Sequence, residues 1–130
     1  MKAYIVMMLA ITIAASGCGL SRNAQLRKAA VGALGQSNTA GLTADAKALW
    51  QQTAEANSSD IPENQWPQSF RPFKPVRVFR DSYGIYLVTA HFVSHMAGVY
   101  IVVKDGHTPK DASNVSHERL SEGIFWTLGS

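Results

Sequence analysis

Four prolines stand within residues 60–75 and divide the chain into two parts of different character. Proline lacks a backbone N–H and fixes φ, so this density excludes both a long helix and a central strand. The four residues are Pro62, Pro67, Pro72 and Pro75. The aromatic residues set among them are Trp66, Phe70 and Phe73. We therefore predict an extended or single-turn connector that its aromatic side chains hold against the fold.

Helical patterns precede this connector. Residues 42–54 place one set of side chains on a single helical face, which predicts a helix with one buried side. That set is Leu42, Ala46, Leu49, Trp50, Thr53 and Ala54. Thr43 is the predicted N-cap. A weaker helix is predicted over residues 21–34, inside a tether that covers residues 18–41, because two glycines lower its helix propensity.

Strand patterns follow the connector. Runs rich in β-branched and aromatic residues, separated by turn residues, predict about four antiparallel strands. They cover residues 76–79, 85–93, 98–104 and 124–128. Residues 106–121 are interpreted as a polar loop, and the even positions from Tyr86 to Phe92 as the side that faces the helices. Helices followed by antiparallel strands indicate an α+β fold, with N-terminal helices packed on a small antiparallel sheet and residues 42–130 forming a single domain.

The N-terminus has the three parts of a secretory signal. Lys2 supplies a positive charge, an apolar run follows, and the small residues 15–17 precede Cys18. The apolar run is shorter than the roughly 20 residues that a membrane-spanning helix needs. We therefore predict that residues 1–17 are a signal peptide. The alternatives are an uncleaved membrane anchor and an ordinary signal followed by a free cysteine.

The segment Ala15-Ser16-Gly17-Cys18 resembles a bacterial lipobox, and the resemblance covers only the first 18 residues. It implies that the Cys18 sulfur is lipidated, that the chain is cleaved before this residue, and that the lipid holds the protein at the bacterial cell envelope. It also implies an outer-membrane destination where the host has one, because Gly19 stands where inner-membrane retention is associated with aspartate. Two or more acyl chains make such anchoring stable.

The net charge narrows the classes of partner, and the cysteine count excludes an intramolecular disulfide. Beyond residue 17, eleven basic and nine acidic side chains leave a mild positive charge, which does not indicate nucleic-acid binding. Cys18 is the single cysteine, so no intramolecular disulfide is expected. No pattern in the sequence indicates a cofactor.

Histidine-containing patterns do not complete a metal or catalytic motif. His91 and His95 lie among residues that favour a strand, where their spacing spans about 13 Å. Two ligands that far apart cannot share one zinc ion, whose Zn–N bonds are about 2 Å. His117 and Glu118 begin a zinc-protease pattern, but Ser121 stands where the second histidine is needed. A G-x-S-x-G elbow is also missing, so we predict no metal site and no enzyme activity. The alternative is a hydrolase whose dispersed residues, His91, His95 or His117 with a carboxylate, meet only in the fold.

Residues 70–80 alternate basic side chains with apolar or aromatic ones. The basic members, candidates for anion binding, are Arg71, Lys74, Arg77 and Arg80. The candidate aromatic residues of the same binding face are Trp66, Phe70 and Phe73. Such a pattern suits an anionic lipid or an envelope polymer. The competing interpretation is an edge strand protected by charge and proline, and on a strand Arg77 and Arg80 would point to opposite faces.

The sequence as a whole favours a membrane-anchored, non-catalytic module. We expect it to bind another envelope protein or to assist an assembly, held at the membrane by the lipid on Cys18. Binding of an anionic lipid or envelope polymer through residues 70–80 is the alternative. Nucleic acid is not an expected partner in either case.

Overall fold

The computed structural model describes residues 18–56 and 58–129 of the 130-residue chain. The predicted signal peptide, residues 1–17, lies outside this part of the chain. Within the described part, no helix is long and apolar enough to cross a membrane. The predicted lipidation site, Cys18, is the first residue of the first helix.

Two α-helices open the described fold. α1 spans Cys18–Gln36 and α2 spans Thr39–Gln52. Asn38 caps α2, because its side-chain oxygen accepts a hydrogen bond from the backbone N–H of Ala40 at 3.1 Å. The predicted N-cap, Thr43, lies inside α2, where its hydroxyl donates to a backbone carbonyl one turn earlier. The helix therefore begins before its apolar stripe, at the residue that satisfies its free N–H groups.

The proline-rich segment forms two short 3-10 helices, Glu63–Gln65 and Gln68–Phe73. Each begins directly after a proline whose backbone is extended. The second ends at Lys74, which takes the left-handed backbone conformation with φ of 50°. The prediction of an extended or single-turn connector that excludes a long helix and a central strand is confirmed, although the second 3-10 helix is longer than one turn.

Five antiparallel strands then form one sheet. They are β1 (Arg77–Arg80), β2 (Gly84–His91), β3 (Met96–Val102), β4 (Val115–Ser121) and β5 (Ile124–Gly129). Their spatial order is β1-β2-β3-β5-β4, so β5 lies between β3 and β4. The α+β class, with helices preceding an antiparallel sheet, is confirmed. The sheet has one strand more than the four expected, because part of the predicted polar loop forms β4.

The helices cover one face of the sheet, and the main core lies between the two layers. Its members in β2 and β3 are the fully buried residues Ile85, Leu87, Ala97, Val99 and Ile101. The predicted orientation of β2 is therefore wrong for Tyr86 and Val88, which lie on the other face. A bulge between Val88 and Ala90 then shifts the register of β2. After the bulge, Phe92 packs on the helix side, as predicted.

α1 contributes to this core. Ala30, Ala33 and Leu34 are buried in it, and Leu26 is packed against it. The helix contacts the second 3-10 helix and β3. The packed fold therefore includes part of the predicted tether.

A second cluster lies on the face of the sheet that points away from the helices. Tyr86, Val88 and Tyr100 are its buried centre, and Phe79, Met96 and Phe125 are partly buried around them. His117 lies beside Tyr100 and Phe125 on the same side. We call the surface formed by these residues the outer face.

Candidate functional site

The aromatic residues predicted to form a binding face belong largely to the core. Phe70 is fully buried, and Phe73 is 6% exposed. Trp66 is half-buried, and its indole N–H donates to the carbonyl oxygen of Ile61 at 2.8 Å. Large rings among the prolines fill the space beside the helices, which is the usual place for them in a small domain. Phe70 and Phe73 are therefore core residues and not part of an exposed binding face.

Arg77 and Arg80 are both engaged within the fold. The Nε of Arg77 lies 2.5 Å from a carboxylate oxygen of Asp60, and its guanidinium lies 4.8 Å from the centre of the Phe79 ring. The guanidinium of Arg80 donates to the backbone carbonyl of Trp50 at 3.0 Å and lies over the Trp50 ring. The two arginines thus lie on opposite faces of the sheet, as alternation along a strand requires.

Arg71 and Lys74 are exposed, and their side chains have no hydrogen-bond or ion-pair partner among the described residues. Together with Trp66 and Pro75 they line a shallow pocket of about 290 Å³, which Glu63 also borders. The four basic residues proposed from the sequence therefore do not form one site. Two stabilise the fold, and two are available to a ligand.

The outer face contains a continuous row of ring contacts with one member from each strand. Ring centres are 5.1 Å apart between Phe79 and Tyr86, and 6.2 Å between Tyr86 and Tyr100. His117 then lies 6.1 Å from Tyr100 and 6.4 Å from Phe125. Tilted and edge-on contacts in this distance range stabilise aromatic pairs beyond the burial of their area. The row fixes the side chains of the outer face relative to one another.

Hydrogen bonds hold both tyrosine hydroxyls in place. The Tyr86 hydroxyl donates to the backbone carbonyl of Thr127 at 2.9 Å, and the Tyr100 hydroxyl lies 2.7 Å from both carboxylate oxygens of Asp81. Burial raises the pKa of Tyr86, and burial together with the hydrogen bond to Asp81 raises the pKa of Tyr100. Both phenols therefore stay neutral at physiological pH and act as fixed hydrogen-bond donors.

His117 joins the row to a polar network. Its Nδ1 lies 2.8 Å from the Thr127 hydroxyl, and its backbone N–H donates to Asp111 at 2.7 Å. Burial lowers the pKa of His117, and nearby Asp111 only partly opposes this effect. The polar-loop interpretation of residues 106–121 misses this position. The one signal in the sequence is the alternation of side chains at positions 115–117. In the structure Val115 and His117 are half-buried, and Ser116 between them is exposed.

The remaining histidine patterns do not converge on a centre. His91 and His95 are both exposed, and the Nδ1 of His95 lies 2.7 Å from the hydroxyl of Ser94. Glu118 lies on the helix side of β4, where both of its carboxylate oxygens accept hydrogen bonds from Arg27, which lowers the pKa of Glu118. Within the described ranges, no group of three or more His, Cys, Asp or Glu side chains is placed to hold a metal ion.

An open groove of about 860 Å³ lies between the start of α2 and the loop that follows β3. Lys47, Lys104 and Arg119 line it, but Asp105 and Glu122 line it as well. This mixture of charges does not select a ligand of one sign.

Comparison with known proteins found no relative of this chain. No protein-family model, no curated protein and no solved structure matches the chain. What the protein does must therefore be inferred from its own residues.

Proposed function

We propose that this chain is a lipid-anchored protein of the bacterial cell envelope, cleaved before Cys18 and acylated on that residue. Its domain acts as a non-catalytic interaction or assembly module that binds another envelope protein through the outer face. The observation that carries the proposal is the row of aromatic side chains on the side of the sheet away from the helices, from Phe79 on β1 to Phe125 on β5.

The composition of the outer face supports a protein partner. Aromatic residues, methionine and arginine are enriched in protein interfaces. Phe79, Met96 and Phe125 are partly exposed here, and Arg77 lies over the Phe79 ring. Because contacts and hydrogen bonds already order these side chains, a partner would immobilise few of them, which lowers the entropic cost of association.

The same geometry supports a non-catalytic role for His117. The hydroxyl next to its Nδ1 belongs to Thr127, which is only 4% exposed. A nucleophile must reach its substrate, and a buried threonine hydroxyl does not. The histidine–threonine contact therefore serves the packing of β4 on β5.

Site-specific photo-crosslinking in cells tests the partner-binding face. A photoreactive amino acid at position 125 should give one discrete adduct, because Phe125 is partly exposed on the outer face. The matched control is position 48, where Ala48 is exposed on α2. We expect no adduct from position 48. Absence of an adduct at 125, or the same set from both positions, would contradict the proposal.

The anchor is tested separately by Cys18→Ala. Mass spectrometry of the wild-type protein should show acyl chains on a chain that begins at residue 18. The variant should leave the membrane fraction, since the proposed lipid is attached through the cysteine sulfur, which alanine lacks. A variant that stays membrane-bound at the processed size would overturn the lipid anchor while leaving the outer-face proposal to the crosslinking result.

A further inference from the structure

The turn between β2 and β3 places an apolar side chain wholly in water. The backbone N–H of Phe92 donates to the carbonyl of His95 at 2.7 Å and closes a turn with Val93 and Ser94 at its tip. The Val93 side chain is completely exposed, at 106% of the reference value. Neither tip residue takes a positive φ. Tight turns favour glycine and small polar residues, so turn chemistry does not explain a β-branched residue here.

A second exposed valine lies at the same end of the sheet. Val76 is 63% exposed, and its backbone N–H donates to the carbonyl of Val88 at 2.8 Å. The next residue, Arg77, lies 3.8 Å from the sulfur of Met96, the first residue of β3 after the turn. We call the tip of the β2–β3 turn, together with residues 74–77, the hairpin end of the domain.

The N-terminus of α1 meets this hairpin end. The guanidinium of Arg22 lies 5.3 Å from the centre of the Phe92 ring, one residue before Val93. Cys18 precedes Arg22 by four residues of the same helix, which corresponds to about 6 Å along the helix axis. A lipid attached at residue 18 would therefore hold the hairpin end, and not the opposite end of the sheet, next to the membrane.

The charges around the hairpin end are predominantly basic. Arg22, Arg71 and Lys74 are exposed, and none has an ion-pair partner within the described ranges. Of the nearby acids, Asp60 is already paired with Arg77, which leaves Glu63. Basic residues beside exposed apolar side chains suit the surface of a membrane that contains anionic lipids.

We propose that the hairpin end is the membrane-contacting surface of this protein, with Val93 in the headgroup region of an anionic phospholipid bilayer and Lys74 and Arg22 against its phosphates. The occupant is the same bilayer that holds the acyl chains on Cys18, so the inference rests on the proposed lipid anchor. In this arrangement residues 91–95 and Arg22 contact the membrane, although none of them belongs to the basic segment 70–80.

The test measures the depth of position 93 in a bilayer. Full-length Val93→Cys protein, isolated from cells and labelled with an environment-sensitive thiol fluorophore, is reconstituted into vesicles of phosphatidylethanolamine and phosphatidylglycerol that carry a lipid-bound quencher. The matched control is Asp105→Cys, an exposed position at the other end of β3. Val93 makes no packing contact that the substitution could disrupt, so the variant should fold normally.

We expect quenching at position 93 to exceed that at position 105 about threefold or more, because interfacial side chains enter roughly 5–10 Å into the headgroup boundary. Equal quenching at the two positions would overturn the inference. So would quenching at 93 that is unchanged when phosphatidylcholine replaces both lipids.

Mass spectrometry of the same samples separates this inference from the proposed anchor. Acylated protein without selective quenching at 93 refutes the hairpin contact and leaves the anchor intact. If residue 18 carries no lipid, the proposed lipid anchor is refuted. Quenching of the label at position 93 is then measured on the Cys18→Ala, Val93→Cys protein added to the same vesicles. Selective quenching there still supports the contact, and its absence refutes it.

Discussion

Gly98 of β3 lies directly against the backbone of β2. A Cβ atom at this position would lie 2.0 Å from the carbonyl oxygen of Leu87 and 2.9 Å from the Cα of Val88. Both are backbone atoms, so neither can move aside without disturbing the sheet. Gly98→Ala should therefore lower the free energy of unfolding by about 3 kcal/mol or more, measured by urea denaturation.

Gly32 provides the control for this prediction. It lies within α1, and an added Cβ there would meet nothing within 4 Å. Gly32→Ala should raise the free energy of unfolding by about 0.5–1 kcal/mol through helix propensity. Similar effects at both positions would contradict the role assigned to Gly98.

His117 gives the fold a pH dependence of definite sign. Burial lowers its pKa in the folded state, so the unfolded chain, with a pKa near the ordinary value of 6.5, binds the proton first as pH falls. The stabilising effect is complete above pH 6.5 and declines below it, toward the lower folded-state pKa. The urea midpoint should be lower at pH 5.5 than at pH 7.5. His117→Gln should reduce that difference, while His91→Gln, at an exposed position, should leave it unchanged.

At the scale of elements, Arg80 joins β1 to the end of α2. Its guanidinium donates to the Trp50 carbonyl and lies 5.1 Å from the centre of the Trp50 ring. A cation at a helix C-terminus and a cation–π contact each contribute about 0.5–1 kcal/mol, so Arg80→Ala should lower stability by about 1–2 kcal/mol. Arg71→Ala is the matched control from the same basic segment, and it should change stability by less than about 0.5 kcal/mol. Equal unfolding midpoints for the two variants would exclude this bracing role.

α1 is tested by truncating one residue on each of its sides. Leu34 is 7% exposed and belongs to the core, whereas Val31 is 43% exposed. Leu34→Ala should lower the free energy of unfolding by about 2–3 kcal/mol, as burial of a core leucine implies. Val31→Ala should be near neutral, because alanine is the better helix former. If Leu34→Ala were also neutral, α1 would not pack on the sheet.

The elements predicted correctly are those whose sequence pattern is compatible with only one type of secondary structure. Residues 42–54 present a single buried helical face, and the prolines of residues 60–75 exclude long regular structure. β4 is different, because an edge strand with half-buried and exposed residues lacks the apolar alternation that marks a strand. The orientation of β2 was not accessible either, since five successive residues from Gly84 to Val88 are buried and both faces are apolar.

The candidate site was less predictable than the fold, because the sequence does not show which side chains pair with one another in space. The sequence identifies Arg71, Lys74, Arg77 and Arg80 as basic, but it does not show that Asp60 and Trp50 engage two of them. It likewise does not show that one ring from each strand meets on the outer face. Pairing between residues far apart in the chain decides both questions.

At the scale of the whole molecule, the two proposed contacts occupy adjoining surfaces that meet at Arg77. The outer face lies on one side of the sheet, and the hairpin end lies at the end of β2 where α1 begins. A protein held at its hairpin end leaves the broad side of its sheet accessible. Anchoring and partner binding can therefore occur together.

The position of β5 between β3 and β4 sets an order on folding. β1, β2 and β3 can pair as a meander while the rest of the chain emerges, but the free edge of β3 then carries the apolar residues Ala97, Val99 and Ile101. An open apolar edge is a template for pairing with other chains. The chain is thus vulnerable to aggregation through β3 until residues 124–129 dock, and a chaperone that shields β3 during that interval would protect it.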